Sequence, residues 1–289
     1  MRYVIRHQTR LAFRTPVREH HCELRVAPID DDVQHRRSLR LVIEPAAHLH
    51  PYVDGFGNLV HAFDVLAPHG ELVTLLETEV ETTPGEPREA LPPSREDAWI
   101  ADALRAHPPL WDFVVHRSDQ TPELSRLGGD LEAPARREGT TVLEAVDAVM
   151  TWARAVLDHA PGGRTSDGPL ATAVAAGAGD CQDFAHLVVT VVRSWGIPAR
   201  YVSGYLDPGH STIAGSDDPA THAWAEVLVP GAGWRGVDAV NGRLADDTYV
   251  RVAIGRDRRD VAPRRGTYHG SESREAPEVR LAITRQYQQ

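Results

Sequence analysis

The sequence contains no lysine: all 31 of its basic side chains are arginine, a bias that GC-rich codon usage accounts for. Cysteine is almost as scarce. Cys22 and Cys181 are too few and too far apart to form a disulfide framework or a metal-binding CxxC pair. No run approaches the roughly 20 apolar residues needed to span a bilayer. The opening MRYVIRHQTRLAF scatters its charges and has no continuous apolar core, unlike a secretory signal. These absences predict a cytoplasmic protein with reduced thiols and no membrane partner. Positive charge is in deficit too, with a net charge of -10, which argues against a general nucleic-acid or anionic-membrane surface. The chain has 42% hydrophobic and 25% charged residues, an ordinary globular balance, and its 289 residues suffice for one large or two modest cores.

The first 85 residues read as strands. YVIRHQTRLAF alternates, and HCELRVAP, RSLRLVIEP, NLVHAFDVLAP and ELVTLLETEVET are short β-favouring runs punctuated by Pro28, Pro45, Pro68 and Asp54-Gly55. They predict a small antiparallel sandwich-like domain over 1–85. TTPGEPREALPPS reads as a Pro- and Glu-rich linker, placed at 86–93. From Ser94 the chain changes character: Ser94, Glu96 and Asp97 suggest a helix start. TTVLEAVDAVMTWARAVLDHA carries Val142, Val146, Val149, Ala153 and Val156 at helical spacing, with Pro161-Gly162 as the stop. Three strand candidates, ARYVSGYL, HAWAEVLV and WRGVDAVNG, follow a further helix. The class is α+β, with a second unit over 94–289.

That further helix carries the chemistry. In GAGDCQDFAHLVV, Asp180 is placed to cap a helix running to about Ser194, where Gly196 and Pro198 stop it. Cys181 then occupies the first turn, where unpaired amides and the helix dipole favour a thiolate. Gly177, Ala178 and Gly179 lead in, leaving room for a substrate backbone to approach. An isolated intracellular cysteine is commonly just a small buried hydrophobe. A nucleophile needs a base and an orienting group. THAWAEVLVPGAGWRGVDAV offers both. His222, Trp224 and Glu226 share one side of a strand, the PGAG run turns the chain, and Trp234, Gly236 and Asp238 share a face of the return. Pairing Glu226 with Trp234 sets His222 opposite Asp238, and a slip of two residues leaves them diagonal neighbours.

These residues carry a family resemblance. GAGDCQDFAHLVVTVVRSWGIPARYVSGYL, HAWAEVLVPGAGWRGVDAVNG and VRVAIGRDRRDVAPRRGTYHG resemble the bacterial transglutaminase-like cysteine proteases of the papain-like superfamily. YVIRHQTRLAF, ELRVAP and DGFGNLVHAFDV resemble the β-rich region that precedes that core. The resemblance implies a papain-like core with its nucleophile helix packed on an antiparallel sheet. It carries the nucleophile onto Cys181, the imidazole onto His222 and the carboxylate onto Asp238. Ala239 follows that Asp where the family usually has Pro.

The implied activity is cysteine-dependent acyl transfer at an amide through a thioester, hydrolytic by preference, on a peptide or protein substrate. Transfer to an amine, as in a cross-linking transglutaminase, is the alternative, and an inactive binding module is a further one. A chain without lysine cannot cross-link to itself through lysine. The His20-His21 and His48–His50 clusters lack acidic or Cys partners at metal-site spacing. His186 is turned around the helix from Cys181, and Asp217-Asp218 and Asp246-Asp247 lack EF-hand spacing. No cofactor and no metal are expected.

Overall fold

A computed structural model describes residues 1–85, 89–128, 131–160, 168–210, 221–270 and 277–286. In chain order it contains β1 (Arg2–Leu24), β2 (Gln34–Glu44), β3 (His50–Val53), β4 (Leu59–Val65), β5 (His69–Thr82), α1 (Pro93–Ala106), α2 (Asp112–Val115), α3 (Val142–Val156), β6 (Asp158–His159), α4 (Leu170–Ala176), β7 (Ala178–Gly179) and α5 (Cys181–Ser194). There follow β8 (Ala199–Leu206), β9 (Thr221–Val229), β10 (Gly233–Asp238), β11 (Arg243–Leu244), β12 (Tyr249–Gly255), α6 (Arg258–Val261), β13 (Arg264–His269) and β14 (Glu278–Gln286). The expected α+β class holds, with two large antiparallel sheets.

The N-terminal sheet has the order β2-β5-β1-β4-β3. Two of the predicted runs merge into β1, which stays extended through Pro16. The register with β5 shifts between Ala12 and Val17, so the missing proline N–H falls at an irregularity instead of in a ladder. The first half of β1 pairs with β5 and β14, the second half with β4 and β13. Leu11, Phe13, Val17, Cys22, Phe63, Leu72 and Leu76 form its core.

β13 and β14 therefore lie in the N-terminal sheet, beside β1. β5 and β4 each leave one edge of β1 unpaired, and β14 and β13 fill those edges. Two buried amides join the layers further. Gln34 donates to the carbonyls of Ile29 (2.7 Å) and Arg251 (2.8 Å) and accepts from the Arg251 N–H. Asn58 makes a reciprocal pair with the Ile254 backbone at 2.8 and 2.7 Å. Tyr3, Ile5 and Val80 share a core with Tyr201, Tyr205, Val250 and Val252.

The second sheet runs β11-β10-β9-β8-β12. α5 covers the face formed by Ala225, Val227 and Val229, and α3 packs alongside through Val142, Val146, Val149 and Ala153. Thr141 and Glu144 close a capping box at the start of α3. The helix ends at Val156; Pro161-Gly162, the expected stop, lie outside the described residues. Glu96, expected as a first-turn acid of α1, is buried and accepts from the Val142 N–H (2.9 Å) and Arg136 (2.8 Å), tying α1 to the start of α3. Among the described residues, no helix is long and apolar enough to cross a membrane.

One buried cation locks the frame around the end of α5. Arg193 is 2% exposed, and burial pushes its guanidinium down to about 9. It donates to the carbonyls of Phe113 (3.0 Å), His116 (3.2 Å), Ala199 (2.8 Å) and Arg256 (2.7 Å). Arg193→Met takes this donor from all four oxygens, of which His116 keeps Arg117 (2.9 Å), so a loss of about 3 kcal/mol or more is expected. Urea unfolding reads it as a lower midpoint at unchanged slope; an unchanged midpoint refutes this account of the frame.

Candidate active site

The lead-in to α5 is shaped by its glycines. Gly177 ends α4 in the left-handed region, at φ 63°, where a side chain is disfavoured. A Cβ on Gly179 would lie 2.7 Å from that of Asp183. These glycines build the helix start. Asp180 is the N-cap: its carboxylate accepts from the N–H groups of Gln182 (2.9 Å) and Asp183 (3.3 Å), and Asp183 reaches back to the Asp180 N–H. The cap leaves the Cys181 amide out of its bonds. Cys181 opens the helix and is half-exposed.

β9 and β10 bring the other two residues. Glu226 lies opposite Gly236, and Trp234 opposite Leu228, two residues away from the expected register. The cause is the loop Pro230-Gly231-Ala232, closed by the Ala232 N–H on the Val229 carbonyl at 3.0 Å, with Gly231 and Gly233 both at positive φ. Asp238 therefore lies diagonal to His222, and the contact survives: Nε2 of His222 donates to Oδ2 of Asp238 at 2.7 Å. Cys181 and His222 line one cleft. His222 is 7% exposed and Asp238 1%.

Asp238 is saturated with donors. Oδ2 also accepts from Asn241 Nδ2 (2.6 Å) and the Tyr249 hydroxyl (2.8 Å), and Oδ1 accepts from the N–H groups of Val240 (3.0 Å) and Asn241 (3.1 Å). Ala239, in place of the usual Pro, lies within this turn and is buried, and the Asp stays fixed. Burial works against both charges, and the pairing outweighs it. For His222, the hydrogen bonds and charges of Asp238 and Cys181 overcome desolvation and raise the ring to about 10. For Asp238, the bonds from His222, Asn241 and Tyr249 bring the carboxyl down to about 2.

Comparison with known proteins places this geometry in a family. Residues 130–239, which include all three side chains, match the Transglutaminase-like superfamily, and residues 3–81 match the Bacterial transglutaminase-like N-terminal region. An uncharacterized protein of Mycobacterium leprae is 34% identical over 281 residues, covering 96% of this chain and 97% of that one. The chain belongs to the transglutaminase-like superfamily. An uncharacterized protein of Mycobacterium bovis is 29% identical over 282 residues, covering 94% of this chain and 89% of its own. A solved structure described as a "putative cysteine protease" from Cytophaga hutchinsonii superposes with a TM-score of 0.76 over 100% of this chain and 92% of its own, at 20% identity, and so shares the fold.

Within this transglutaminase-like core, further residues surround the site. Tyr249 and Trp224 flank His222, the indole stacked at 6.1 Å between centroids. Asn241 had one clue, an amide three residues beyond an aspartate before a glycine. Gln182, Tyr201, Arg258 and Val261 join Cys181 and His222 around a cleft of about 130 Å³. Two larger cavities, of about 310 and 760 Å³, lie between the β9-β10 hairpin and the N-terminal sheet, and neither is lined by Cys181 or His222.

The remaining candidates lie apart. His186 is buried, stacks on Tyr201 and accepts the Arg258 N–H, and burial depresses it to about 3. His20 and His69 stack inside the N-terminal sheet, with Nδ1 of His20 3.2 Å from Nε2 of His69, while His21 pairs with Asp64. His48 and His50 meet edge to face. Cys22 is buried among apolar neighbours, which pushes its thiol up to about 11. Asp246 accepts from Thr248, Asp247 lies 3.8 Å from the chain's first amine, and Asp217-Asp218 lie outside the described residues. Among the described residues, no group of three or more His, Cys, Asp or Glu is placed to hold a metal ion.

Proposed function

We propose that the protein catalyses acyl transfer from peptide or protein amides through a thioester on Cys181, with water as the acceptor. The observation that carries this reading is His222, buried, lining one cleft with Cys181 and hydrogen-bonded to a donor-saturated Asp238. With its ring raised to about 10, His222 is charged at neutral pH, the state reached when it has taken the thiol proton. The sulfur attacks the carbonyl carbon, an S–C bond forms, and the C–N bond breaks as His222 gives its proton to the leaving amine. Water, deprotonated by the now neutral ring, cleaves the thioester and restores the thiol. Asp238 orients the imidazole throughout.

The Cys181 N–H, outside the cap, is one donor for the oxyanion. Gln182 lines the same cleft, and its side-chain NH2 is the second donor in this reading. Membership of the superfamily supports cysteine chemistry in general, and the preference for water follows the protease side of the resemblance. The test is mass spectrometry of a peptide library incubated with the protein, with and without a small primary amine. Cleaved peptides in both samples are expected. Amine adducts in place of cleavage assign the transferase reaction, and unchanged peptides with unmodified Cys181 assign a binding module.

A further inference from the structure

The cleft holds a permanent charge that the acyl-transfer steps leave unused. Arg258 opens α6 and lines the cavity together with Cys181 and His222. Its backbone is fixed from the nucleophile helix itself, since its N–H donates to Nε2 of buried His186 (3.1 Å), which is stacked on Tyr201. Asp257, just before it, is 2% exposed and accepts from Nε2 of His116 (3.1 Å), the Ser118 hydroxyl (2.8 Å) and the Arg259 N–H (2.9 Å). The position of Arg258 is thereby set on both sides.

Neighbouring charges are committed elsewhere. Arg256 pairs with Asp260 at 2.8 Å and Arg259 with Asp119 at 2.6 Å. The acids near the cleft, Asp180 and Asp183, form the helix cap, and Asp238 stands behind His222. Burial lowers the pKa of the Arg258 guanidinium. Arg258 makes interactions of its own in the resting chain, and an entering carboxylate exchanges for them.

We propose that Arg258 selects acidic substrates, holding a carboxylate next to the scissile amide while the carbonyl carbon meets Cys181. The proposal rests on the reading of Cys181 as the nucleophile and names the substrate class of that site. A guanidinium offers paired N–H donors that match a carboxylate. On a chain of net charge -10, general electrostatics repel such a substrate, so a local cation at the cleft has to recruit it.

The test compares alkylation of Cys181 by iodoacetate, which is anionic, and iodoacetamide, which is neutral, with Cys22 replaced by Ala. Relative to a model thiol, the native cleft is expected to favour iodoacetate by about tenfold or more. Arg258→Gln lowers this preference severalfold, to what the His222 charge alone leaves, Arg258→Lys keeps more of it, and Arg258→Glu lowers it further. A ratio that Arg258→Gln leaves unchanged, with a native circular dichroism spectrum, overturns the proposal. Failure of the underlying reading looks different: both reagents then react no faster than with the model thiol.

Discussion

Cys181→Ala and His222→Ala are each expected to lower amide turnover by about 10⁴-fold or more, and the double variant is expected to lose no further activity. In the proposed steps the sulfur and the ring share one proton, so either one without the other leaves no thiolate and no acid for the leaving amine. Their losses therefore cannot add. Both variants are compatible with the fold. Cys181 is half-exposed, and without His222 the buried Asp238 keeps donors from Asn241, Tyr249 and two backbone amides. Single-turnover kinetics on any peptide cleaved by the native protein would check this. A double variant much slower than both singles means that the two residues act independently, against the account.

Asp238→Asn is expected to lower kcat/KM by about 10²- to 10⁴-fold. The carboxylate accepts five hydrogen bonds and donates none. An Asn must turn its NH2 either toward His222, Tyr249 and Asn241 or toward the Val240 and Asn241 amides, and both sides present donors. The pH profile carries the clearer signature. In the native protein, His222 loses its proton through about pH 10, and activity falls there because the leaving amine needs that proton. Without the carboxylate, burial dominates the ring, and the alkaline limb moves down toward the ordinary imidazole value of 6.5. An alkaline limb that stays in place contradicts the assigned role of Asp238.

The same pair makes stability depend on pH. The folded value of His222 lies above its ordinary one, so the stabilisation from its charge is complete below pH 6.5 and is lost as pH rises through about 10. Asp238 is the reverse case: its contribution is present above pH 3.8 and disappears as pH falls through about 2.

How much of this was legible in the sequence depended on range. The α5 helix could be read to within a residue, because its cap, apolar run and glycine stop are all local. The hairpin was legible in kind and two residues out in register, because PGAG offers glycines for more than one loop length; the pairing of His222 and Asp238 tolerated the slip because their side chains reach diagonally. Tyr249, Tyr201 and Arg258 reach the site only through sheet pairing and packing, which no local pattern encodes. The pairing of β13 and β14 with β1 was hidden for a related reason. β14 is mostly exposed, so it shows little buried periodicity, and its place is set by backbone pairing with β1.

The most direct measurement of the central claim is intact-protein mass spectrometry of the native chain, acid-quenched while it turns over a peptide. An acyl adduct is predicted on Cys181, released by hydroxylamine as a thioester should be, and absent from Cys181→Ala. Peptide cleavage that persists in Cys181→Ala, or an acyl group carried on any other residue, would contradict it.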